Sequence, residues 1–171
     1  NNAMSISNLS AGNYSVTVTD SKNCSTFHNF SVTQPAPLSI SLVPTNVSCN
    51  SANNGTIDLT VSGGTYPYTF SWSLGGNIIA SHEDLINLSP GTYSVVVTDA
   101  KGCSISGSMG ITQPAAIMTS YTYSDNPCFG NSLGTVDLTV SGGSVPYSYA
   151  WTGPSGFTAT SQDLSGLSSG L

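Results

Sequence analysis

Apolar and polar residues alternate along this chain in short runs separated by clusters of Gly, Pro, Asn and Ser. Leu38, Ile40 and Leu42 alternate with serines; Ile57, Leu59 and Val61 alternate with Thr56, Asp58 and Thr60. Tyr68, Phe70 and Trp72 form an aromatic run at every second position, and Tyr93, Val95 and Val97 a fourth. A period of two places every second side chain on one face, so each run predicts a half-buried β-strand. Two further short strands are expected at Asn77–Ala80 and around Leu85 and Leu88, and a last one from Cys103 through Ile105 and Met109 to Ile111. Asn50–Gly55, Ser62–Thr65, Gly75-Gly76, Ser89–Gly91 and Asp99–Gly102 hold the residue types that tolerate turn geometry. Pro44 predicts a break or bulge in the first strand, at a sheet edge. No long segment has helical periodicity, so no helix is expected.

The alternation itself repeats. Gly12–Cys24 and Gly91–Cys103 are near copies at an offset of 79 residues, and Gln34/Gln113, Cys49/Cys128, Asp58/Asp137, Gly63-Gly64/Gly142-Gly143, Pro67/Pro146 and Trp72/Trp151 keep it. A repeat held in register is one folding unit copied. Seven short strands per period, a tryptophan in the aromatic strand and a tyrosine opening the strand after Pro90-Gly91 predict an all-β chain of tandem immunoglobulin-like β-sandwich modules. With Gln-Pro as the seam, 1–37 is the C-terminal part of one repeat, 38–116 a complete one and 117–171 the N-terminal part of the next. The chain thus reads as a window on a longer array.

Only 6% of residues are charged, with two Lys, no Arg and a net charge of −6. Nucleic-acid binding needs clustered cations and is excluded. No apolar run is long enough for a membrane span, and no secretory leader stands at Asn1. A surface of Ser, Thr, Asn and Gly suits an extracellular fibre. Cys24, Cys49, Cys103 and Cys128 occupy repeated positions outside any C-x-x-C pattern, which makes them disulfide candidates of an oxidising compartment. A staple of about 2–4 kcal/mol matters to a core this small. His28 and His82 are not equivalent by the offset, which speaks against zinc.

The same scarcity of histidine leaves no constellation for nucleophilic catalysis, so no catalytic residue and no cofactor is assigned. Asp58, Asp99 and Asp137 are weak candidates for Ca²⁺, although Asp99 is better read as capping its own turn. Tyr66, Phe129 and Phe157 fall outside the alternation and are expected to plug loop ends rather than to stack on sugar. The N-x-[ST] matches at Asn8, Asn13, Asn23, Asn29, Asn46, Asn54 and Asn87 are expected by chance in such a composition, and no glycan is assigned.

The series Val47-Ser48-Cys49-Asn50, Asn54-Gly55-Thr56-Ile57, Ser62-Gly63-Gly64, Pro67-Tyr68, Trp72, Leu88, Gly91-Thr92-Tyr93, Val97-Thr98-Asp99, Gly102-Cys103 and Gln113-Pro114 resembles the SprB-type repeat of giant surface adhesins of gliding Bacteroidetes. The chain departs from its own pattern at Pro127-Cys128-Phe129-Gly130 and at Asn23, both turn positions. The resemblance implies a long non-catalytic protein exported by the type IX system and used in adhesion during gliding. Its partners would be neighbouring repeats and a surface polysaccharide or substratum. The alternative is a carbohydrate-binding or spacer array attached to a secreted enzyme.

Topology bears on the cysteines. Cys49 is expected where the chain leaves a module and Cys103 where it enters, roughly 30 Å apart, whereas a disulfide needs Cα atoms within about 7 Å. Cys49 should therefore face the cysteine one period after Cys103, and Cys103 the one a period before Cys49. The alternative is an internal Cys49–Cys103 bond, should the chain kink back at Pro44. Strands of about 8–10 residues and the short seams 34–37 and 113–116 predict a semi-rigid rod rising about 40 Å per repeat, with the first and last strands side by side.

Overall fold

The computed structural model describes residues 5–168. Its strands are β1 (Gly12–Thr19), β2 (Ser25–Val32), β3 (Ser39–Thr45), β4 (Gly55–Ser62), β5 (Thr69–Leu74), β6 (Asn77–Ala80), β7 (Leu85–Leu88), β8 (Gly91–Thr98), β9 (Ser104–Ile111), β10 (Met118–Ser124), β11 (Gly134–Ser141), β12 (Trp151–Thr152), β13 (Thr158–Ala159) and β14 (Leu164–Leu167). A three-residue 3₁₀ turn, Pro154–Gly156, lies between β12 and β13.

Residues 39–111 supply both sheets of one sandwich, β3-β4-β7 and β6-β5-β8-β9. Alternation sets what lies between them: Ile57, Leu59, Leu85 and Leu88 from one sheet, Trp72, Tyr93, Val95, Val97 and Ile111 from the other. This is the immunoglobulin-like arrangement, with β6 carried on the β5-β8-β9 side. Trp72 is wholly buried, and its indole N–H donates to the carbonyls of His82 (3.0 Å) and Glu83 (3.1 Å). Tyr93 opens β8 and donates its hydroxyl to the Ser89 carbonyl at 2.9 Å, the tyrosine corner of such sandwiches. Gly107 leaves room in β9, since a Cβ there would lie 2.8 Å from Ile40 Cδ1 across the sandwich edge.

The repeat is visible in the strands. β10-β11-β14 copies β3-β4-β7, with Met118↔Ser141 corresponding to Ser39↔Ser62 and the same register shift at Gly134/Val136 as at Gly55/Ile57. β1 and β2 copy β8 and β9, pairing Gly12↔Val32 as those pair Gly91↔Ile111. Even the irregularities recur: Asn8, Asn87 and Gly166 have φ of 59°, 56° and 69°, and Asn23 and Gly102 have 66° and 82°. Asparagine tolerates the left-handed region that glycine favours, so the Asn23 substitution leaves its turn intact.

Four expectations need correction. Pro44 neither breaks nor bulges β3, whose pairing with β4 runs from Ser39↔Ser62 to Thr45↔Thr56 without a shift. β3 is an edge strand, so a missing N–H is tolerated wherever it would point away from β4. β4, β8 and β9 of the complete sandwich reach the lower end of the expected length at eight residues, whereas β3 and β5 are shorter, at seven and six. In the third copy the aromatic run Tyr147, Tyr149, Trp151 is strand only from Trp151, because the β8 residues that pair with β5 in the complete sandwich, Tyr93–Thr98, have their equivalents after position 171. Finally, β3 and β9 flank one edge of the sandwich but share no ladder: β3 pairs with β4, and β9 with β8.

Candidate functional site

The geometry that recurs outside the core is at the seams. At the trailing end of the complete sandwich the β3–β4 loop grips the outgoing chain. Val47 N donates to Thr112 O (3.2 Å), Thr112 N to Asn46 Oδ1 (2.8 Å), Ser51 N to Gln113 Oε1 (2.8 Å) and Asn50 Nδ2 to Pro114 O (3.0 Å). At the very next residue the following copy takes hold, with Gly143 N donating to Ala115 O at 2.8 Å. The preceding seam has the same contact, Gly64 N to Ala36 O at 2.8 Å. The Ser-Gly-Gly motif is explained by this approach. Gly63 and Gly142 have φ of 70° and 73°, and a Cβ on either would lie 2.0 Å from the carbonyl oxygen of Pro37 or Ala116. No side chain fits, so the seam backbone lies directly on the β4–β5 turn or its copy.

At the leading end Asp99 ties two turns together. Its Oδ1 accepts from Lys101 N (2.8 Å) and Cys103 N (2.9 Å), and its Oδ2 from Thr65 N (2.9 Å). Burial pushes its pKa up, but the backbone N–H groups of Cys103, Thr65, Lys101 and Gly102 more than offset this, and the carboxyl sits below its ordinary range. The turn-capping role read from the sequence is thus the one seen. The other Ca²⁺ candidates, Asp58 and Asp137, are exposed in mid-strand on β4 and β11 and are not brought to Asp99. Among the described residues no three His, Cys, Asp or Glu side chains converge as ligands would.

The four cysteines are exposed and their thiols are free. Cys49 lies in the β3–β4 loop at the trailing end, Cys103 just before β9 at the leading end. All eight residues of β9 separate those ends, and no kink at Pro44 brings Cys49 back, so an internal Cys49–Cys103 bond is ruled out by the fold. Cys24 and Cys128 hold the equivalent places before β2 and between β10 and β11.

Two of the three unassigned aromatics do not plug loops. Tyr66 and Phe129 are exposed, Tyr66 edge-on to Tyr68 at 5.8 Å; Phe157 is 39% exposed and lies against Gly153. A hollow lined by Tyr121, Tyr123, Val136, Leu138, Trp151 and Leu167 lies on the inner face of β10-β11-β14. Its residues sit where Ile57, Leu59, Trp72 and Leu88 are buried in the complete sandwich, so it is uncovered core rather than a ligand site. Among the described residues no helix is long and apolar enough to cross a membrane.

The fold and the gripped seams define the class: a tandem array of immunoglobulin-like sandwiches. The model of the SprB repeat, a structural repeat, matches residues 41–77 and 120–156, and these segments are offset by the period seen in the sequence. The resemblance to the SprB-type repeat is borne out. A search of curated proteins found no match. Among solved structures, the three N-terminal domains of the bacteriophage RB49 highly immunogenic outer capsid protein (Hoc) align with a TM-score of 0.52 and 18% identity, over 90% of this chain and 60% of that one. At that identity the likeness concerns the fold alone.

Proposed function

We propose that this chain is a segment of a long, non-catalytic adhesin displayed at the cell surface, in which 1–37, 38–116 and 117–171 are the end, the whole and the beginning of successive modules. The single observation that carries this reading is the seam. A flexible linker between independent domains would leave Gln113-Pro114-Ala115 solvated, whereas here the preceding copy holds Thr112, Gln113 and Pro114 and the following one holds Ala115. Such seams transmit tension from one sandwich to the next. Tension entering at Leu38 and leaving past Ile111 runs along the strand axes, so it shears the β3–β4 and β8–β9 ladders and loads many hydrogen bonds together. The resemblance extends this to export by the type IX system, attachment to polysaccharide or substratum, and gliding. Immunogold imaging of intact cells with an antibody to this segment tests the reading. Filaments extending from the surface are expected. Antigen found only free in the medium would favour a spacer on a secreted enzyme, and antigen inside the cell would end the proposal.

A further inference from the structure

The two seams in this chain each show one half of the same groove. At the first, a groove is floored by Pro35–Leu38 and the turn residues Gly64 and Thr65, and Cys103 of the following copy lines it. At the second, the equivalent floor is Pro114–Ile117 with Gly143 and Ser144, and Cys49 of the preceding copy lines it. The floors correspond residue for residue at the offset of 79. Placing one seam on the other brings a trailing-end thiol and a leading-end thiol into one exposed groove, held on one side by the Gln113 and Asn50 contacts and on the other by the Asp99-capped turn. Neither thiol has a partner in its own copy.

We propose that each seam is closed by a disulfide between the trailing cysteine of one module, here Cys49 or Cys128, and the leading cysteine of the next, the class to which Cys24 and Cys103 belong. This rests on the array reading above. Two thiols lose their hydrogens as the sulfur–sulfur bond forms, and the two electrons and two protons reduce the disulfide of a thiol–disulfide exchange partner to its dithiol. The consequence is mechanical. Each bond spans a seam and most of two modules, so the shortest covalent path runs from a leading cysteine to the next trailing one, as from Cys103 to Cys128. That path is 25 residues for every two periods, comprising β9, the seam and β10, already extended. The oxidised array would have almost no slack: unfolding a module would not lengthen it.

The test uses the chain extended after Leu171 by a copy of residues 93–116, which supplies the third copy with equivalents of β8 and β9 and with a leading cysteine. After refolding in a glutathione buffer, unreduced peptide mapping should join Cys49 to the added cysteine and leave Cys24, Cys103 and Cys128 without an intramolecular bond. Cys103→Ser should not disturb that bond. A bond between Cys49 and Cys103, or a Cys49 left free in the folded protein, would overturn the proposal. Should the added strands not fold, mapping of the native polypeptide released from cells decides, since it must show the Cys49 peptide linked to the leading-cysteine peptide of the following repeat. Surface filaments with reduced seams would remove the clamp and keep the adhesin. A bond that forms on refolding in a protein found inside cells would keep the seam geometry and remove the adhesin.

Discussion

β8–β9 and β1–β2 are nearly the same hairpin in sequence and register, yet their side chains live in different surroundings. Tyr93, Val95 and Val97 are 2%, 1% and 0% exposed; of their equivalents in β1, Val16 and Val18 are 44% and 59% exposed. In place of a core, Tyr14 stacks on Phe30 at 5.7 Å. What differs is not the hairpin but the presence of β3-β4-β7 and β5 over its inner face. The alternation that makes a strand is therefore local, whereas the burial that stabilises it is supplied by the opposing sheet. The third copy shows the converse: β10-β11-β14 keeps its pairing while Trp151 is only half-buried, against a wholly buried Trp72.

Paired substitutions sharpen this contrast. For residues 1–171 taken alone, the largest difference is expected between Trp72→Ala, which should cost the complete sandwich about 3–5 kcal/mol in urea unfolding, and Trp151→Ala, which should cost under about 1 kcal/mol; supplying the third copy with equivalents of β8 and β9 should bring the two together. Equal effects would mean that the two sites are equally packed. Next is Gly63→Ala, which forces a side chain into the seam carbonyl and should cost about 2–3 kcal/mol. Gly75→Ala, at φ 57° with open space around it, should cost about 1 kcal/mol. Similar in size is Tyr93→Phe, at about 1 kcal/mol for the bond to Ser89, against nearly nothing for Tyr14→Phe in the uncovered hairpin. Smallest is the acid limb of the stability curve. Because the folded state lowers the pKa of Asp99, its contribution is fully present above the unfolded value of about 4 and is lost as pH falls through the folded one. Asp99→Asn should flatten the melting profile in that acid range and nowhere else.

Most of the fold was legible because the alternation in β4 and β8 is regular and the offset marks each turn twice. The seam was legible as a place, since Gln34 and Gln113 recur with their prolines, but not as a contact. Nothing local says that Gln113 reaches back to Ser51 N, a residue 62 positions earlier. The left-handed bulge at Asn87 was hidden in an ordinary apolar run; only its match with Asn8 and Gly166 betrays it. Pro44 misled because proline's missing donor matters only on the side that faces a neighbour, and sequence does not show which side that is. The exposure of Tyr66 and Phe129 was likewise illegible, as it depends on which way each turn projects.

The central claim is that these sandwiches are successive, independently folding units in a tension-carrying line. Single-molecule pulling of the native polypeptide, with its thiols kept reduced, tests it most directly. Each unfolding event should release one 79-residue period, a contour step of roughly 24 nm at about 3.6 Å per residue less the folded length, in a regular sawtooth. A smooth extension without steps would contradict it.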